Sequence, residues 1–190
     1  MLKFVFIRHG ATPGNLERRY VGRTDEELCG IDYEEMKPSR YPDADVVFVS
    51  PMKRCRQTAE RIYGSRMYIE VDDFREIDFG DFEMKNYKEL SDDKRYQEWI
   101  DSNGAMPFPN GESTTLFKCR CFRAFEDICD HYGDTDKTAA IVAHGGTIMS
   151  ILERFSGEPG SYYNWQVKTS GGYTAEFDPH TRVLQNIAVL

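Results

Sequence analysis

The chain carries too few basic residues to attract nucleic acid or anionic lipid over its whole surface. Its 190 residues include 24 lysines and arginines against 32 aspartates and glutamates, which gives a formal net charge of -8. Because like charges repel, such a chain is held away from phosphate polymers. We therefore expect no nucleic-acid partner and no membrane partner, and an anionic ligand would need a local basic site.

Long apolar segments, export signals and paired cysteines are missing as well. No apolar run approaches the ~18 residues of a membrane span, and the opening MLKFVFIRHG is charged too early for a signal peptide. The five cysteines are odd in number and lack CxxC spacing, which argues against a zinc site. The sequence predicts a cytoplasmic protein with reduced thiols, among which Cys121 and Cys129 are core residues on a helix.

What the sequence does contain is an alternation of short apolar runs and helical patterns. Near-continuous apolar runs, typical of strands buried on both faces of a parallel sheet, cover residues 2–7, 46–49 and 139–143, with a weaker run at 67–71. Helical spacing covers residues 52–63 and 116–132. In the second helix the side chains predicted to face solvent are Lys118, Arg120, Arg123, Asp127 and Asp130.

The end of the chain follows a different pattern. Residues 173–177 and 182–190, on either side of a turn at 178–180, predict a hairpin at the edge of the sheet. Residues 70–101 hold twelve acidic and five basic side chains and lead into a stretch with proline and glycine at 105–111. We expect one α/β domain over residues 1–190, a three-layer α/β/α sandwich with a mostly parallel central sheet, an antiparallel edge strand and a helical insertion at about 76–112.

Polar residues follow the predicted strands at the edge where an open parallel sheet binds its ligands. Two of only four histidines stand at equivalent strand ends, each next to a glycine that lets backbone approach a ligand closely. Each residue taken alone is typical of ordinary structure, and only their combination predicts a functional site. The residues at this edge are Arg8, His9, Gly10, Arg54, Glu76, His144 and Gly145.

A local excess of positive charge indicates the kind of ligand. Residues 1–25 contain five basic and two acidic side chains inside a chain of net charge -8. Guanidinium groups match phosphate oxygens bidentately, so a small phosphate monoester is the expected partner.

Other phosphate-handling signatures are absent or incomplete. No GxxxxGK[ST] loop occurs, and no HxH or HExxH supports a metal centre, so we expect no metal and no cofactor. Cys55 and Arg61 have the C-x5-R spacing of cysteine phosphatases, but the residues between them lack glycine and favour a helix. Residues 43–47 loosely fit an aspartyl-nucleophile pattern, although they precede their strand instead of following it.

Four groups of residues, in this order, resemble the histidine phosphatase superfamily, also called phosphoglycerate mutase-like. The resemblance covers about residues 3–155. Within it, residues 74–83 and 108–113 resemble the α-ribazole phosphatase branch, which acts in assembly of the cobalamin nucleotide loop. The groups are Arg8-His9-Gly10-Ala11-Thr12 with Asn15, Ser50-Pro51 with Arg54 and Gln57-Thr58-Ala59, Arg75-Glu76-Ile77 with Phe79-Gly80, and His144-Gly145-Gly146-Thr147.

The resemblance implies a metal-independent phosphomonoesterase in which His9 attacks phosphorus and forms a phosphohistidine. Glu76 would protonate the leaving oxygen and then activate water, and the insertion would cover this site. We expect a hydrogen bond to a backbone carbonyl near Gly10 to fix the His9 tautomer. We also expect nearby acidic groups to raise the pKa of Glu76 and Arg75 to lower it. The residues implied to hold phosphate are Arg8, Asn15, Arg54, His144 and Gly145.

The substrate stays open at this stage. α-Ribazole 5'-phosphate, sugar phosphates and broad specificity all fit, and a phosphoglycerate mutase or a non-catalytic phosphate-binding module are alternatives. Two departures from the family pattern lie near the expected pocket: Glu26-Glu27-Leu28 replaces a longer helical stretch, and Met84 stands at a position that is commonly glycine. The insertion aromatics fit either base stacking or a small local core; they are Phe79, Phe82, Tyr87, Trp99 and Phe108.

Overall fold

The fold is a six-stranded mixed sheet between two layers of helices. The computed structural model describes residues 1–157 and 162–190. The strands are β1 (Lys3–Arg8), β2 (Val46–Val49), β3 (Ile69–Glu70), β4 (Thr138–Ala143), β5 (Gly172–Asp178) and β6 (Val183–Val189). The α-helices of the described residues are α1 (Pro13–Leu16), α2 (Lys53–Tyr63), α3 (Lys94–Asp101), α4 (Thr114–Tyr132) and α5 (Gly145–Phe155), and short 3-10 helices include Asp72–Phe74, Gly80–Phe82 and Tyr162–Trp165.

The order of the strands in the sheet is β3-β2-β4-β1-β5-β6. The first four are parallel to one another, whereas β5 and β6 are antiparallel to their neighbours. The expected α/β/α sandwich is confirmed, and the hairpin contributes two antiparallel strands at one edge of the sheet.

The buried strands explain why the apolar runs in the sequence are nearly continuous. Successive side chains of a strand point to opposite faces, so a strand covered on both sides needs apolar residues at every position. In β1, Phe4 and Phe6 pack on the side of α4 and α5, whereas Val5 and Ile7 pack on the side of α2. This double burial fixes where each strand ends, and hence where the polar residues after it lie.

Strand β3 is shorter than the apolar run 67–71 predicts. Only Ile69 and Glu70 pair with β2, and Met67 is 90% exposed. This strand is at the edge of the sheet, where one side has no further strand to pair with, so its side chains are less constrained by packing.

Helix α4 differs from its predicted pattern at the N-terminal half. Leu116 is 65% exposed because the buried stripe runs through Phe117, Cys121 and Phe125 and leaves it to one side. Lys118 and Arg120 were expected to face solvent, but their side chains are only 23% and 18% exposed. Segments that are distant in the sequence cover this part of α4. The periodicity of the helix sequence cannot predict such contacts.

The inserted segment builds a small core of its own. Phe82, Tyr96 and Phe108 pack with Phe117 of α4 in a cluster separate from the two cores beside the sheet. The local-core interpretation therefore holds for Phe82, which is fully buried, while Tyr87 is half exposed. The extent of the insertion and the single-domain organisation stay predictions.

The cysteines and the helices also bear on the expectations from composition. Cys121 and Cys129 are buried core residues, as predicted, and all five cysteines are unpaired. None of the helices in the described ranges is both long enough and apolar enough to cross a membrane.

Candidate active site

Two adjacent parallel strands bring the two imidazoles together. His9 follows the last residue of β1 and His144 follows the last residue of β4, and Arg8 is in register with Ala143. The ring centroids lie 5.2 Å apart with an angle of 65° between the planes. The structure thus places at one point two histidines that are 135 positions apart in the sequence.

The protonation state of His9 is set by its surroundings. Nδ1 lies 2.7 Å from the carbonyl oxygen of Gly10, which only accepts, so Nδ1 carries the proton and Nε2 keeps its lone pair. Burial, followed by the charges of Arg54 and Arg8, lowers the pKa of His9 well below its ordinary value. The neutral tautomer expected from the sequence is therefore the one this geometry favours.

His144 is fully buried and held on both ring nitrogens. Arg54 Nε donates to its Nδ1 at 3.3 Å, so the ring proton is on Nε2, which donates to Ser50 Oγ at 2.8 Å. Burial, Arg54 and His9 lower the pKa of His144 well below its usual value. The ring is thus neutral in the free protein, and a bound phosphate dianion would favour its protonated form.

Arg54 belongs to the first turn of α2 and is completely buried. Its Nη1 donates to the carbonyl of Thr24 at 2.8 Å and its Nη2 to that of Gly22 at 2.9 Å. The loop that offers these carbonyls is held in turn by Glu83 Oε1, which accepts from the backbone N–H groups of Gly22 and Thr24. Glu83 was not singled out in the sequence, since its role depends on a contact some 60 positions away.

Glu76 lies beside the start of α5. Its Oε1 accepts from the N–H of Ile77 at 3.1 Å and its Oε2 from the N–H of Gly146 at 3.2 Å. Burial raises the pKa of Glu76 above its ordinary value and outweighs these two hydrogen bonds and the charges of Arg54 and Arg8, which lower it. The carboxyl group therefore retains a proton at a higher pH than an exposed glutamate would.

The direction of this shift was predicted, but its cause was not. Arg75 was expected to lower the pKa of Glu76, yet its side chain turns to Asp72, at 2.7 Å. The acidic neighbours are also engaged elsewhere, since Asp73 pairs with Arg123 at 2.6 Å and Asp78 accepts from the N–H of Gly80. The pKa of Glu76 is therefore raised by burial of its carboxyl group, and neither Arg75 nor the acidic neighbours account for the shift.

Arg120 fixes the segment that carries Glu76. Its guanidinium donates to the carbonyls of Asp73 and Arg75 at 2.7 Å and to that of Glu76 at 3.1 Å, and it pairs with Glu112 at 2.8 Å. Sequence periodicity predicts that Arg120 faces solvent. This prediction is wrong because the segment that Arg120 binds lies more than 40 positions away in the sequence.

The remaining predicted phosphate-binding residues occupy different places. Arg8 donates through Nη1 to the carbonyl of Val167 at 2.8 Å, and its buried Nε has no hydrogen-bond partner. Asn15 Oδ1 accepts from the N–H of Thr12 in the cap of α1, and Asn15 borders a second cavity next to Arg8. Gly145 is buried at the start of α5.

Of the two glycines at the start of α5, Gly146 is the one with a steric requirement. A methyl group there would overlap Oε1 of Glu76 and come within 3.1 Å of Phe117 and of the Tyr162 hydroxyl. A methyl group at Gly145 would lie in ordinary contact, 3.5 Å from Arg8 Nε. The resemblance implies a role for Gly145, whereas the steric requirement at the start of α5 falls on Gly146.

A cavity of about 560 Å³ opens from this end of the sheet. Arg8, Glu76, Gly145 and Gly146 line its inner end, while the almost fully buried imidazoles lie next to them. Its walls are rich in aromatic side chains from the segment after α1, the insertion and the segment after α5, namely Tyr20, Phe79, Trp99, Phe108, Tyr162 and Tyr163. The volume is that of a typical small-molecule site.

The competing signatures have structural explanations. Residues 53–63 form α2, so Cys55 lies on a helix, and burial raises the pKa of its thiol to about 12. Asp45 Oδ2 accepts from the N–H of Thr138 and holds strand β4 beside the start of β2. Across residues 1–157 and 162–190, no group of three or more His, Cys, Asp or Glu side chains is arranged to hold a metal ion.

Comparison with known proteins identifies the family. The model of the histidine phosphatase superfamily, branch 1, matches residues 4–189, and the chain belongs to this superfamily. The phosphatases among its relatives are phosphoric monoester hydrolases, so the expectation of an enzyme of this class is confirmed at the family level.

Individual relatives agree with this assignment. The uncharacterized phosphatase PhoE of Bacillus subtilis is 31% identical, over 83% of this chain and 79% of that protein. Phosphoserine phosphatase of Entamoeba histolytica, solved with 3-phosphoglyceric acid, has a TM-score of 0.82 at 28% identity and covers 98% of this chain and 96% of its own. The α-ribazole phosphatase of Shigella flexneri has a TM-score of 0.81 at 22% identity, over 96% and 93%, a likeness of fold alone.

Proposed function

We propose that the protein is a phosphomonoesterase that works through a phosphohistidine on His9. The observation that carries this proposal is the meeting of a neutral His9, with Nε2 free, a buried Arg54 and His144, and a half-buried Glu76 of raised pKa at one end of a cavity. These are a nucleophile, anion-binding groups and a proton donor, the parts that phosphoryl transfer requires.

In the first step Nε2 of His9 bonds to phosphorus, and the bond between phosphorus and the ester oxygen breaks. The Glu76 carboxyl gives its proton to that oxygen, which leaves as an alcohol. The hydrogen bond from Nδ1 to Gly10 O keeps the lone pair of Nε2 directed away from the carbonyl and stabilises the positive charge that the ring acquires.

In the second step water attacks the phosphohistidine. Glu76, now a carboxylate, takes a proton from this water, the N–P bond breaks, and the electron pair returns to Nε2 of His9. Inorganic phosphate leaves, and both groups are restored to their starting protonation states. One residue serves as acid and then as base, as its position beside the leaving oxygen requires.

Arg8, Arg54 and His144 would hold the transferred phosphoryl oxygens. Phosphoryl transfer leaves a protein little covalent chemistry to perform. Its main contribution is therefore to position the phosphoryl group and to stabilise its charge with fixed hydrogen-bond donors. We also propose phosphate contacts for Asn15 and Gly145, since Asn15 borders a neighbouring cavity beside Arg8 and Gly145 offers an N–H at the start of α5.

The substrate we propose is a small phosphorylated metabolite with a flat apolar part. The size of the cavity and its aromatic walls support this. α-Ribazole 5'-phosphate, as in cobalamin nucleotide-loop assembly, has such a part and remains a prediction from the sequence resemblance. Sugar phosphates, broad specificity, a cytoplasmic location and metal independence likewise stay predictions.

A panel of phosphate esters tests the proposal. It includes α-ribazole 5'-phosphate, phosphoserine, 3-phosphoglycerate, sugar phosphates and 4-nitrophenyl phosphate, with phosphate release measured as kcat/KM. We expect release from several of them, inhibition by vanadate and no effect of EDTA. Loss of activity with EDTA and insensitivity to vanadate would show a metallohydrolase instead.

The same panel separates a phosphatase from a mutase. A phosphatase releases inorganic phosphate from 3-phosphoglycerate, whereas a mutase converts it to 2-phosphoglycerate without net release. We expect release. Isomerisation faster than hydrolysis would assign the protein to the mutases, and a failure to process any ester would leave only a phosphate-binding module.

A further inference from the structure

The aromatic cavity is also lined by an ion pair that the proposed reaction does not use. Lys118 of α4 and Glu153 of α5 both line the cavity, with Nζ and Oε2 2.5 Å apart and side chains 23% and 27% exposed. The ammonium group also lies over the ring of Tyr162, 4.7 Å from its centroid. Both charges are therefore partly removed from water and held in place by each other.

The ion pair is separated from the reacting end along α5, and we call the part of the cavity beside the pair its far end. Gly146, whose N–H contacts Glu76, and Glu153 are on the same helix and line the same cavity. Glu153 comes seven positions after Gly146, so their backbones lie about 10 Å apart along the helix axis. In phosphoserine only an oxygen and a methylene separate phosphorus from the α-carbon, so it is too short to reach the pair. A phenyl phosphate with a substituent opposite the phosphate spans most of this distance.

The walls between the two ends suit a planar apolar body. Phe79, Trp99 and Phe108 all border the cavity, and the Phe108 ring lies 5.0 Å from each of the other two. Tyr20 extends this wall from a different segment, 5.1 Å from Phe79. Such faces bind an aromatic ring by stacked or edge-on contacts without adding charge.

The two charges at the far end select what this body carries. A ligand with a single carboxylate or a single ammonium would pair with one partner and leave the other charge uncompensated in a partly desolvated position, which is unfavourable. A group that carries both charges leaves neither unpaired, since its carboxylate contacts Lys118 and its ammonium contacts Glu153.

On the basis of the proposed phosphomonoesterase activity, we propose that this cavity selects aryl phosphates that carry a zwitterionic amino-acid group opposite the phosphate. Lys118 and Glu153 are the residues that determine this specificity. They take no part in the bond changes at phosphorus, so they act on substrate choice.

Four aryl phosphates of closely similar length test the proposal. O-phosphotyrosine carries both charges, phosphotyramine only the ammonium, 3-(4-phosphooxyphenyl)propionate only the carboxylate, and 4-ethylphenyl phosphate neither. We expect kcat/KM to be highest for O-phosphotyrosine, by about tenfold over either singly charged ester.

Two single substitutions make the prediction directional. Lys118→Met leaves the Glu153 carboxylate alone, so phosphotyramine should become the preferred ester. Glu153→Gln leaves the Lys118 ammonium alone, so the propionate should become preferred. Lys94→Met removes a charge from an exposed position of α3 outside the cavity and should leave the wild-type order unchanged.

The outcomes distinguish this inference from the activity on which it rests. Equal kcat/KM for the four esters, or the same order of preference in both variants as in the wild type, would overturn the specificity and leave the phosphatase proposal intact. Hydrolysis of none of them, with 4-nitrophenyl phosphate also inert, would overturn both. The wild-type series decides the question by itself even where a variant fails to fold.

Discussion

Burial shifts the pKa values of His9 and Glu76 in opposite directions. A poorly hydrated site disfavours the charged form of either group, so it lowers the pKa of a histidine and raises that of a glutamate. His9 is thereby kept neutral with a free lone pair, while Glu76 keeps its proton. These are the two states that the first step of the proposed reaction requires at the same pH.

The pH dependence of the reaction follows from these shifts. Because the pKa of His9 is well below its ordinary value, the nucleophile stays neutral into the mildly acidic range. Because the pKa of Glu76 is raised, its proton is lost only as the pH rises through that higher value, and the first step slows there. We expect a maximum of kcat/KM at neutral or mildly acidic pH and an alkaline decline caused by Glu76.

Substitution of Glu76 by glutamine tests this assignment. The amide does not titrate, so the alkaline decline should disappear, and kcat/KM for an alkyl phosphate should fall by about 10² to 10⁴. 4-Nitrophenyl phosphate serves as the control, since its leaving group needs little protonation and its kcat/KM should fall less. An alkaline decline that persists in Glu76→Gln would assign the proton to another group.

The two glycines at the start of α5 give a second test at the residue scale. Gly146→Ala places a methyl group against Oε1 of Glu76 and should lower kcat by about tenfold to a hundredfold by displacing the carboxyl group. Gly145→Ala meets only an ordinary contact with Arg8 and should cause a clearly smaller loss.

Thermal unfolding of both glycine variants provides the control. Alanine has a higher helix propensity than glycine, so neither substitution should weaken helix α5. A Tm close to that of the wild type would show that the loss of kcat does not come from unfolding. Equal losses of kcat in the two variants would show that the space beside Glu76 is not what requires Gly146.

At the scale of elements, the strands were easier to predict than the helix surfaces. Strand β2 was predicted at residues 46–49 and occupies them, because double burial demands apolar residues throughout. The faces of α4 were predicted less well, since Arg120 and Lys118 bind groups on segments far away in the sequence. Periodicity reports which face of a helix is apolar, but not which polar side chains a distant loop covers.

The segment after the Gly80–Phe82 turn contains a residue in an unfavourable conformation. Met84 has φ of +59°, in the left-handed region that favours glycine, and it is held there by hydrogen bonds between its N–H and Tyr20 O and between its carbonyl and Arg19. Methionine at position 84, where the family pattern commonly has glycine, therefore strains the backbone.

Met84→Gly should raise the free energy of unfolding by about 0.5 to 1 kcal/mol, the relief of strain being offset in part by the entropy of glycine in the unfolded chain. Urea denaturation measures the change. Met106→Gly is a matched control without a positive φ and should lower stability. A similar loss in both variants would show that Met84 is not strained.

At the scale of the whole molecule, the insertion and the sheet share α4. Phe117 and Cys121 of this helix pack under the insertion, whereas Phe125 and Ile128 pack on the sheet. We expect the insertion to unfold together with the rest of the chain, as one domain over residues 1–190 would.

The two tryptophans report on the two parts separately. Trp99 lies in the insertion, and Trp165 packs against Tyr173 beside the sheet, with ring centroids 5.7 Å apart. In Trp165→Phe and Trp99→Phe, the fluorescence of the remaining tryptophan should show the same urea midpoint as far-UV circular dichroism. An earlier midpoint for Trp99 than for Trp165 would show that the insertion is a separate unit.

The candidate site was predictable where it depends on strand order and less so where it depends on loops. Polar residues directly after buried strands, such as His9 and His144, must meet once the strands are neighbours. The supports of Glu76 and Arg54 were missed because they are carbonyl and carboxylate contacts between loops, to which Arg120 and Glu83 contribute. No local sequence pattern records such contacts.

The central claim is a covalent bond between phosphorus and Nε2 of His9. The most direct measurement is rapid mixing with excess 4-nitrophenyl phosphate, quenching in alkaline denaturant, and mass spectrometry of the intact chain and its peptides. We predict one added phosphoryl group on His9, stable to base and lost in acid, and none in His9→Asn, where the amide retains the hydrogen bond to Gly10. Turnover without phosphorylation of His9, or a His9→Asn variant that keeps substantial activity, would contradict the account.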